Sequence, residues 1–230
     1  MKQDVPLRDL RRQFGHLDGA ELLAAIRAPY AGRLAVISSF GAEAAVLLDL
    51  VAQVDKNLPV LFVDTRELFD ETIVYRDELT ERLGLTDVRV VRPTPEEQTE
   101  AEELWRTDPD RCCNLRKVVP LTRAARDFEA LVDGRKRFHG ADRATIETIE
   151  FSPDGFVKIS PLARWDQKQI AEAFRLRNLP IHPLVAQGYR SIGCWPCSRP
   201  TGPDEPVRSG RWQGSAKTEC GIHRTELLPV

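Results

Sequence analysis

Short apolar runs alternate along the chain with longer stretches in which apolar residues repeat at helical spacing. The apolar runs predict buried strands at Leu34–Ser38, Leu58–Asp64, Val88–Val91, Phe128–Val132 and Phe156–Ile159. The predicted helices are an opening helix around Leu22, Glu43–Val54, Asp70–Leu83, a helix that begins near Asn114, and a helix from Asp166 through Arg177. This alternation predicts an α/β fold with a mostly parallel sheet and helices on both faces.

Local signals mark the ends of several predicted helices. Asp18 and Glu21 have the spacing of a capping box, as do Asp166 and Gln169. Gly84 follows the helix predicted before the third strand, and glycine tolerates the left-handed backbone of a helix stop. We therefore expect helices to begin after Asp18 and Asp166 and to end at Gly84.

The composition changes after Pro200 to glycine, proline, serine and charged residues with little periodicity. Such a segment is typical of a tail or lid rather than a second packed domain. We expect an α/β domain over residues 1–200 and a flexible C-terminal tail over residues 201–230.

Overall composition narrows the functional classes. The chain has 230 residues, of which 42% are hydrophobic and 30% charged, as in a soluble globular protein. A net charge of −2 argues against nucleic-acid binding, and no apolar run has the length of a secretory signal or a membrane span. We expect a cytoplasmic protein, and the sequence leaves open whether it forms a homo-oligomer. Local groups of basic residues favour a small anionic substrate.

The five cysteines divide into two close pairs and one single residue. Cys112 and Cys113 are adjacent, Cys194 and Cys197 are separated by two residues, and Cys220 stands apart. In the cytoplasm such cysteines favour metal binding or catalysis over disulfides. Two pairs brought together by the fold suit zinc or an iron–sulfur cluster, and spacing alone does not separate these two. The remaining thiol, Cys220, is the candidate nucleophile.

Two strand ends carry further candidate binding residues. The turn after the first predicted strand has small hydroxyls and a glycine that let backbone N–H groups approach an anion. Its candidate residues are Ser38, Ser39, Gly41 and Glu43. Asp64 and Thr65 follow the second strand, where a carboxylate and a hydroxyl could hold the ribose or adenine of a nucleotide.

Five segments together resemble the assimilatory sulfonucleotide reductases, and specifically their iron–sulfur branch, the adenosine 5'-phosphosulfate (APS) reductases. In chain order they read SSFGAE, FVDTRELFDET, CCNLRKVVPL, GCWPCSRP and KTECGIH, between Ser38 and His223. The resemblance covers most of the chain, and the last three segments are highly specific. It implies an adenine nucleotide α-hydrolase-like fold in which the serine-rich turn is a modified PP-loop.

The resemblance implies a chemistry for the cysteines. Cys112, Cys113, Cys194 and Cys197 would bind a [4Fe-4S] cluster, while Cys220 would attack the sulfur of APS and carry an S-sulfonate. Thioredoxin or a glutaredoxin-like reductant would then release sulfite. Related reductases that use 3'-phosphoadenylyl sulfate (PAPS) generally lack these four cysteines, so the pairs favour APS. The alternatives are a PAPS or dual-specificity reductase and a zinc-stabilised, non-catalytic nucleotide-binding protein.

The resemblance also implies substrate contacts. Lys117 would lie between the cluster and the substrate. The other residues expected to face the substrate are Lys136, Arg137, Arg199, Arg211 and His223. This sequence departs from the family pattern at Arg66, where glycine is usual, and at His139, where glutamine is frequent. A long side chain at Arg66 could crowd the nucleotide or supply a new contact.

Overall fold

The computed structural model describes residues 7–152 and 155–222, whose strands form a six-stranded sheet. The strands are β1 Leu34–Ser38, β2 Val60–Val63, β3 Val88–Val91, β4 Ala130–Val132, β5 Ile149–Phe151 and β6 Val157–Ile159. Their order in the sheet is β3-β2-β1-β4-β6-β5, and every neighbouring pair is parallel except β5 with β6. The predicted mostly parallel sheet is confirmed.

Helices connect the strands and cover the sheet. They are α1 Leu7–Phe14, α2 Gly19–Arg27, α3 Ala44–Val54, α4 Asp70–Leu83, α5 Pro95–Glu100, α6 Leu104–Thr107, α7 Pro109–Cys113, α8 Val119–Ala124 and α9 Gln167–Leu176. A π-helical turn, Asn114–Val118, joins α7 to α8. Within the two described ranges, these helices fall short of the length and apolar character that a membrane span requires.

Apolar side chains from both faces of the sheet enter separate cores. Alternate residues of β1 show the division, because Leu34 and Val36 belong to the larger core while Ala35 and Ile37 belong to the smaller one. Residues of α1 to α4 and α9 pack into the larger core, and Leu121 of α8 packs into the smaller one. Burial on both faces explains why the central strands are continuous apolar runs.

Two of the three helix ends predicted from capping residues are confirmed and one is wrong. The capping box of Asp166 and Gln169 is confirmed, with both reciprocal hydrogen bonds at 2.8 Å. Gly84 ends α4 with a φ of 67°, as predicted. The capping box at Asp18 is wrong, because its side chain makes no cap hydrogen bond and instead accepts one from Trp165 Nε1 at 3.1 Å.

Several elements of the structure were not predicted from the sequence, among them α5, α6, the start of α7 and the strand β5. The helical segment predicted from Asn114 begins at Pro109, because the Asp108 side chain accepts a hydrogen bond from the Arg111 N–H at 3.0 Å and caps α7. This places the adjacent cysteines on a helix. The edge strand β5 lacks an apolar run, since Phe151 is 55% exposed and Glu150 separates it from Ile149.

Parallel pairing brings the functional loops to one edge of the sheet. The segments after β1, β2 and β4 all leave from the carboxyl ends of adjacent strands, where open α/β sheets bind ligands. The part of the chain that contains Cys194 and Ser198 also crosses this edge of the sheet. Leu68 pairs with Cys194, and Ser198 pairs with Arg211, through antiparallel bridges. The division into a domain of residues 1–200 and a tail of residues 201–230 stays a prediction.

Candidate functional site

A cavity of about 200 Å³ opens at the carboxyl edge of the sheet. It lies between the turn after β1, the loop after β4 and the C-terminal segment, as expected for a ligand site in this architecture. Many of the residues predicted from sequence to bind substrate or to react line it. They are Ser38, Ser39, Gly41, Glu43, Thr65, Lys117, Lys136, Arg211 and Cys220.

The turn after β1 has a shape that depends on two residues. Phe40 adopts a left-handed backbone with a φ of 47°, which is unfavourable for a bulky residue. Its fully buried ring packs edge-to-face on Phe62 with ring centres 5.2 Å apart, and its N–H donates to Ser38 Oγ at 3.2 Å. A Cβ on Gly41 would lie 3.1 Å from the Ile192 carbonyl oxygen. The turn therefore approaches the segment before Cys194 closely.

Glu43 anchors the loop after β4 rather than standing alone in the cavity. Its carboxylate accepts a hydrogen bond from Lys136 Nζ at 2.7 Å, and His139 Nε2 lies 3.1 Å from the same oxygen. Burial opposes ionisation of Glu43, but His139 and Lys136 outweigh it and lower the Glu43 pKa to about 2. Lys136, which we expected to face the substrate, is thus paired with Glu43.

Arginines form a second group at the cavity. Arg143 and Arg208 line the cavity with Arg211, and both contact the carboxylate of Glu219. Arg211 extends past Gly193, where any Cβ would collide with its guanidinium, and stacks 4.5 Å from the Trp212 ring. Arg143 and Arg208 were not predicted from the sequence. Arg208 could have been predicted as a site residue because it lies three residues before Arg211. Arg143 could not, because it lies in no segment that resembles the family.

Cys220 lies at the border of the cavity. It is a free, partly exposed cysteine that lines the cavity and packs against a small cluster formed by Cys194, Cys197 and Trp212. Thr65 connects this cluster to the cavity wall, because its hydroxyl lies 3.2 Å from Cys194 Sγ. The candidate nucleophile is therefore placed between the cavity and the paired cysteines.

The four paired cysteines surround a second, small cavity. Cys112, Cys113, Cys194 and Cys197 are all buried and free, and all line it. Burial raises the pKa of Cys112 and of Cys197 to about 11. Across residues 7–152 and 155–222, no group of three or more His, Cys, Asp or Glu side chains has the arrangement of a metal-ion site.

Lys117 connects the two cavities. It lines both of them, as does Cys194, and it is 7% exposed. Burial alone would lower the Lys117 pKa, but electrostatic attraction between the ammonium and the sulfurs of Cys194, Cys113 and Cys220 outweighs burial and raises it. Lys117 is therefore an ammonium held beside the cysteines and facing the larger cavity.

Several predicted residues lie elsewhere. Asp64 accepts hydrogen bonds from Arg92 at 2.8 Å and from the Arg66 N–H at 3.0 Å, and it does not line the cavity. Arg137 points away and donates to the Ile146 carbonyl at 2.7 Å. Arg199 is also absent from the cavity wall, and its side chain is exposed. His223 lies outside the described residues.

Arg66 does not enter the cavity. Its side chain is exposed, and its backbone is left-handed with a φ of 63°. This conformation explains why glycine suits the position, since glycine alone adopts it without steric cost. Crowding of a nucleotide by Arg66 is therefore not observed.

Comparison with known proteins identifies relatives over most of the chain. A family model described as the phosphoadenosine phosphosulfate reductase domain matches residues 33–200. A protein of Chelativorans sp. (strain BNC1) named adenosine 5'-phosphosulfate reductase is 45% identical over 225 residues, covering 96% of this chain and 91% of that protein. A protein of the same name from Mycobacterium tuberculosis (strain ATCC 25177 / H37Ra) is 42% identical over 195 residues, covering 82% and 75%.

Solved structures share the fold. Phosphoadenylyl-sulfate reductase from Candida auris, in a phosphate complex, superposes with a TM-score of 0.70 at 25% identity and covers 85% of this chain and 96% of that one. Yeast FAD synthetase in complex with FAD has a TM-score of 0.57 at 20% identity, with 87% and 70% coverage. The second likeness concerns the fold alone, and both agree with the predicted PP-loop-like α/β architecture.

Proposed function

This chain belongs to the phosphoadenosine phosphosulfate reductase domain family, and we propose that it reduces APS to sulfite and AMP with a thiol as the electron source. Relatives named adenosine 5'-phosphosulfate reductase support APS as the substrate. The observation that carries the proposal is the meeting of the Cys220 thiol, Lys117 and Arg211 in one cavity, beside four further free cysteines.

In the first stage Cys220 acts as the nucleophile. Its thiolate attacks the sulfur of APS, the bond from that sulfur to the phosphate oxygen breaks, and AMP leaves with the electron pair. Cys220 then carries an S-sulfonate. Lys117 and Arg211 line the same cavity and offset the negative charges of the sulfate and phosphate, which otherwise repel an approaching thiolate.

In the second stage a dithiol reductant of the thioredoxin or glutaredoxin class completes the reaction. One of its thiolates attacks Cys220 Sγ and releases sulfite, and its second thiol resolves the mixed disulfide to regenerate Cys220. The sulfur is reduced by two electrons and the dithiol is oxidised to a disulfide. Cys220 is partly exposed, which supports access by a protein thiol.

The paired cysteines fit an iron–sulfur cluster better than simple packing. Four buried free thiols face one small cavity, and among the described residues the Trp212 Nε1 and Arg116 Nε donors beside them lack hydrogen-bond partners. Donors without partners next to thiols suit a group that carries negative charge and exposed sulfur. We therefore propose that Cys112, Cys113, Cys194 and Cys197 hold a [4Fe-4S] cluster.

When bound, the cluster supplies a fixed inorganic charge beside Lys117 and has no required electron-transfer role. The chain's own residues bind and orient the substrate. We propose that its contacts come from the residues that line the larger cavity, with Glu43 acting by holding Lys136 in place. Free cysteines throughout the described chain suit a reducing compartment, and we propose a cytoplasmic location.

Labelled APS tests the nucleophile directly. Incubation without reductant should place a sulfonate on the peptide that contains Cys220, detected by mass spectrometry. The Cys220→Ser variant should lose sulfite release while keeping the iron content of the parent protein. A parent protein that forms no adduct, or a serine variant with full activity, would refute the assignment.

Metal content and substrate choice are tested on the same sample. Anaerobically purified protein should contain about four iron and four sulfide per chain. A colourless protein with one zinc would instead support the non-catalytic alternative. The ratio of kcat/KM for APS to that for PAPS should favour APS, and a ratio near one would establish a dual-specificity enzyme.

A further inference from the structure

The residue before the nucleophile places a carboxylate between two guanidinium groups inside the larger cavity. Arg143 Nε and Nη2 donate to the two oxygens of Glu219, the second at 3.0 Å, and Arg208 Nη2 lies 3.4 Å from Glu219 Oε2. All three side chains line the cavity. Their exposed fractions are 10% for Glu219, 12% for Arg143 and 17% for Arg208.

The two arginines form an oxyanion site. Burial and the nearby Arg143 charge lower the pKa of Arg208 to about 10, so the two cations repel each other in a confined space. Arg208 also donates to the Thr218 carbonyl oxygen at 2.8 Å, and the Glu219 carboxylate offsets the charge of both guanidinium groups. The planar fork of a guanidinium binds carboxylate, phosphate and sulfate oxygens with similar geometry.

We propose that Glu219 is a built-in occupant of this oxyanion site and that the terminal oxyanion of a sulfonucleotide displaces its carboxylate on binding. The inference rests on the proposed function, which supplies the anionic substrate. Because Glu219 directly precedes Cys220, the exchange of anions couples the arrival of substrate to a change in the position of the nucleophile. The cost of displacing Glu219 reduces the apparent affinity for substrate.

Other contacts hold the same segment without occupying the arginines. Thr218 Oγ1 donates to Asp142 Oδ2 at 2.7 Å, and Lys217 Nζ pairs with Asp110. Asp142 does not line the cavity. The Asp142→Asn substitution therefore weakens the attachment of the segment and removes one negative charge, as Glu219→Gln does, but leaves the oxyanion site filled.

Binding of adenosine 5'-diphosphate (ADP) to the cluster-containing enzyme distinguishes competition by the Glu219 carboxylate from weaker attachment of the segment and from the loss of one negative charge. ADP carries a terminal phosphate in place of the sulfate and cannot transfer a sulfonate. By calorimetry, Glu219→Gln should bind ADP about fivefold to tenfold more tightly than the parent enzyme, because competition by the carboxylate is lost. Adenosine, which has no oxyanion, should bind both proteins equally. Asp142→Asn should bind ADP within about twofold of the parent.

Three outcomes would overturn the inference. The Glu219→Gln variant could bind ADP no more tightly than the parent, Asp142→Asn could show the same gain, or adenosine affinity could rise in parallel. Glu219→Ala repeats the test if the glutamine variant does not fold. A parent enzyme that binds ADP but does not reduce APS would contradict the proposed function alone, whereas a parent that binds neither ADP nor adenosine would overturn both.

Discussion

Substitution of Glu43 by glutamine should destabilise the protein through Lys136. The Lys136 side chain is 4% exposed and its ammonium is held 2.7 Å from Glu43, so the variant leaves a buried cation without its carboxylate. Breaking a buried pair costs about 3–5 kcal/mol. The Glu43 side chain is 21% exposed at the cavity, so water can partly replace it, and we expect a loss of about 2–3 kcal/mol.

Calorimetry of the anaerobic enzyme measures this loss. For a chain of this size the expected cost lowers Tm by roughly 5–10 °C. Glu147→Gln is the matched control, because Glu147 pairs with Arg137 of the same loop at 3.0 Å but is 56% exposed. That variant should change Tm by less than about 2 °C, since exposed ion pairs contribute little.

The double variant Glu43→Gln/Lys136→Met tests whether the unpaired charge of Lys136 causes the loss of stability. Replacing the lysine by an apolar side chain removes the unpaired charge, so the double variant should recover at least half of the lost Tm. If Glu43→Gln melts with the parent protein, or if Lys136→Met adds a second loss of equal size, the pair is not structural. Lys136 would then be free to contact the substrate, as the family resemblance implied.

Two further predictions concern stability away from the cavity. Burial lowers the pKa of His182 to about 4. The stability that the neutral imidazole contributes is therefore fully present above pH 6.5 and is lost as the pH falls through 6.5 toward 4. We expect the free energy of unfolding to be about 1–2 kcal/mol lower at pH 5 than at pH 7. Urea unfolding should show a smaller loss for His182→Asn, and equal losses would contradict the assignment. Arg66→Gly should stabilise the protein by about 1 kcal/mol by relieving its left-handed backbone, whereas Arg66→Ala should not.

The sequence predicted the parts of the fold that local pattern determines. Central strands such as β1 are buried on both faces and therefore appear as apolar runs. The edge strand β5 has one exposed face and only three residues, so its pattern did not stand out. The start of α7 was missed because the Asp108 cap and Pro109 follow an acidic stretch that carries no helical periodicity.

The candidate site was predictable where chemistry is concentrated in short motifs. Cysteine spacing identified two pairs, and the structure places both pairs around one cavity. Ion pairing was not predictable, because Glu43 and Lys136 are 93 positions apart and only the fold brings them together. The same holds for Arg143 and Glu219, which are 76 positions apart.

The segment around the π-helical turn shows how a local motif can encode the arrangement of charges. Cys112 precedes Arg116 by four residues, and Cys113 precedes Lys117 by four, so each cation follows its thiol by about one helical turn. Burial raises the Cys113 pKa, and Lys117 is the largest influence in the opposite direction; Arg116 acts likewise on Cys112. Only Lys117 also lines the larger cavity. Lys117 therefore brings a positive charge from the cysteine cavity to the substrate cavity, whereas Arg116 lines the smaller cavity and not the larger one.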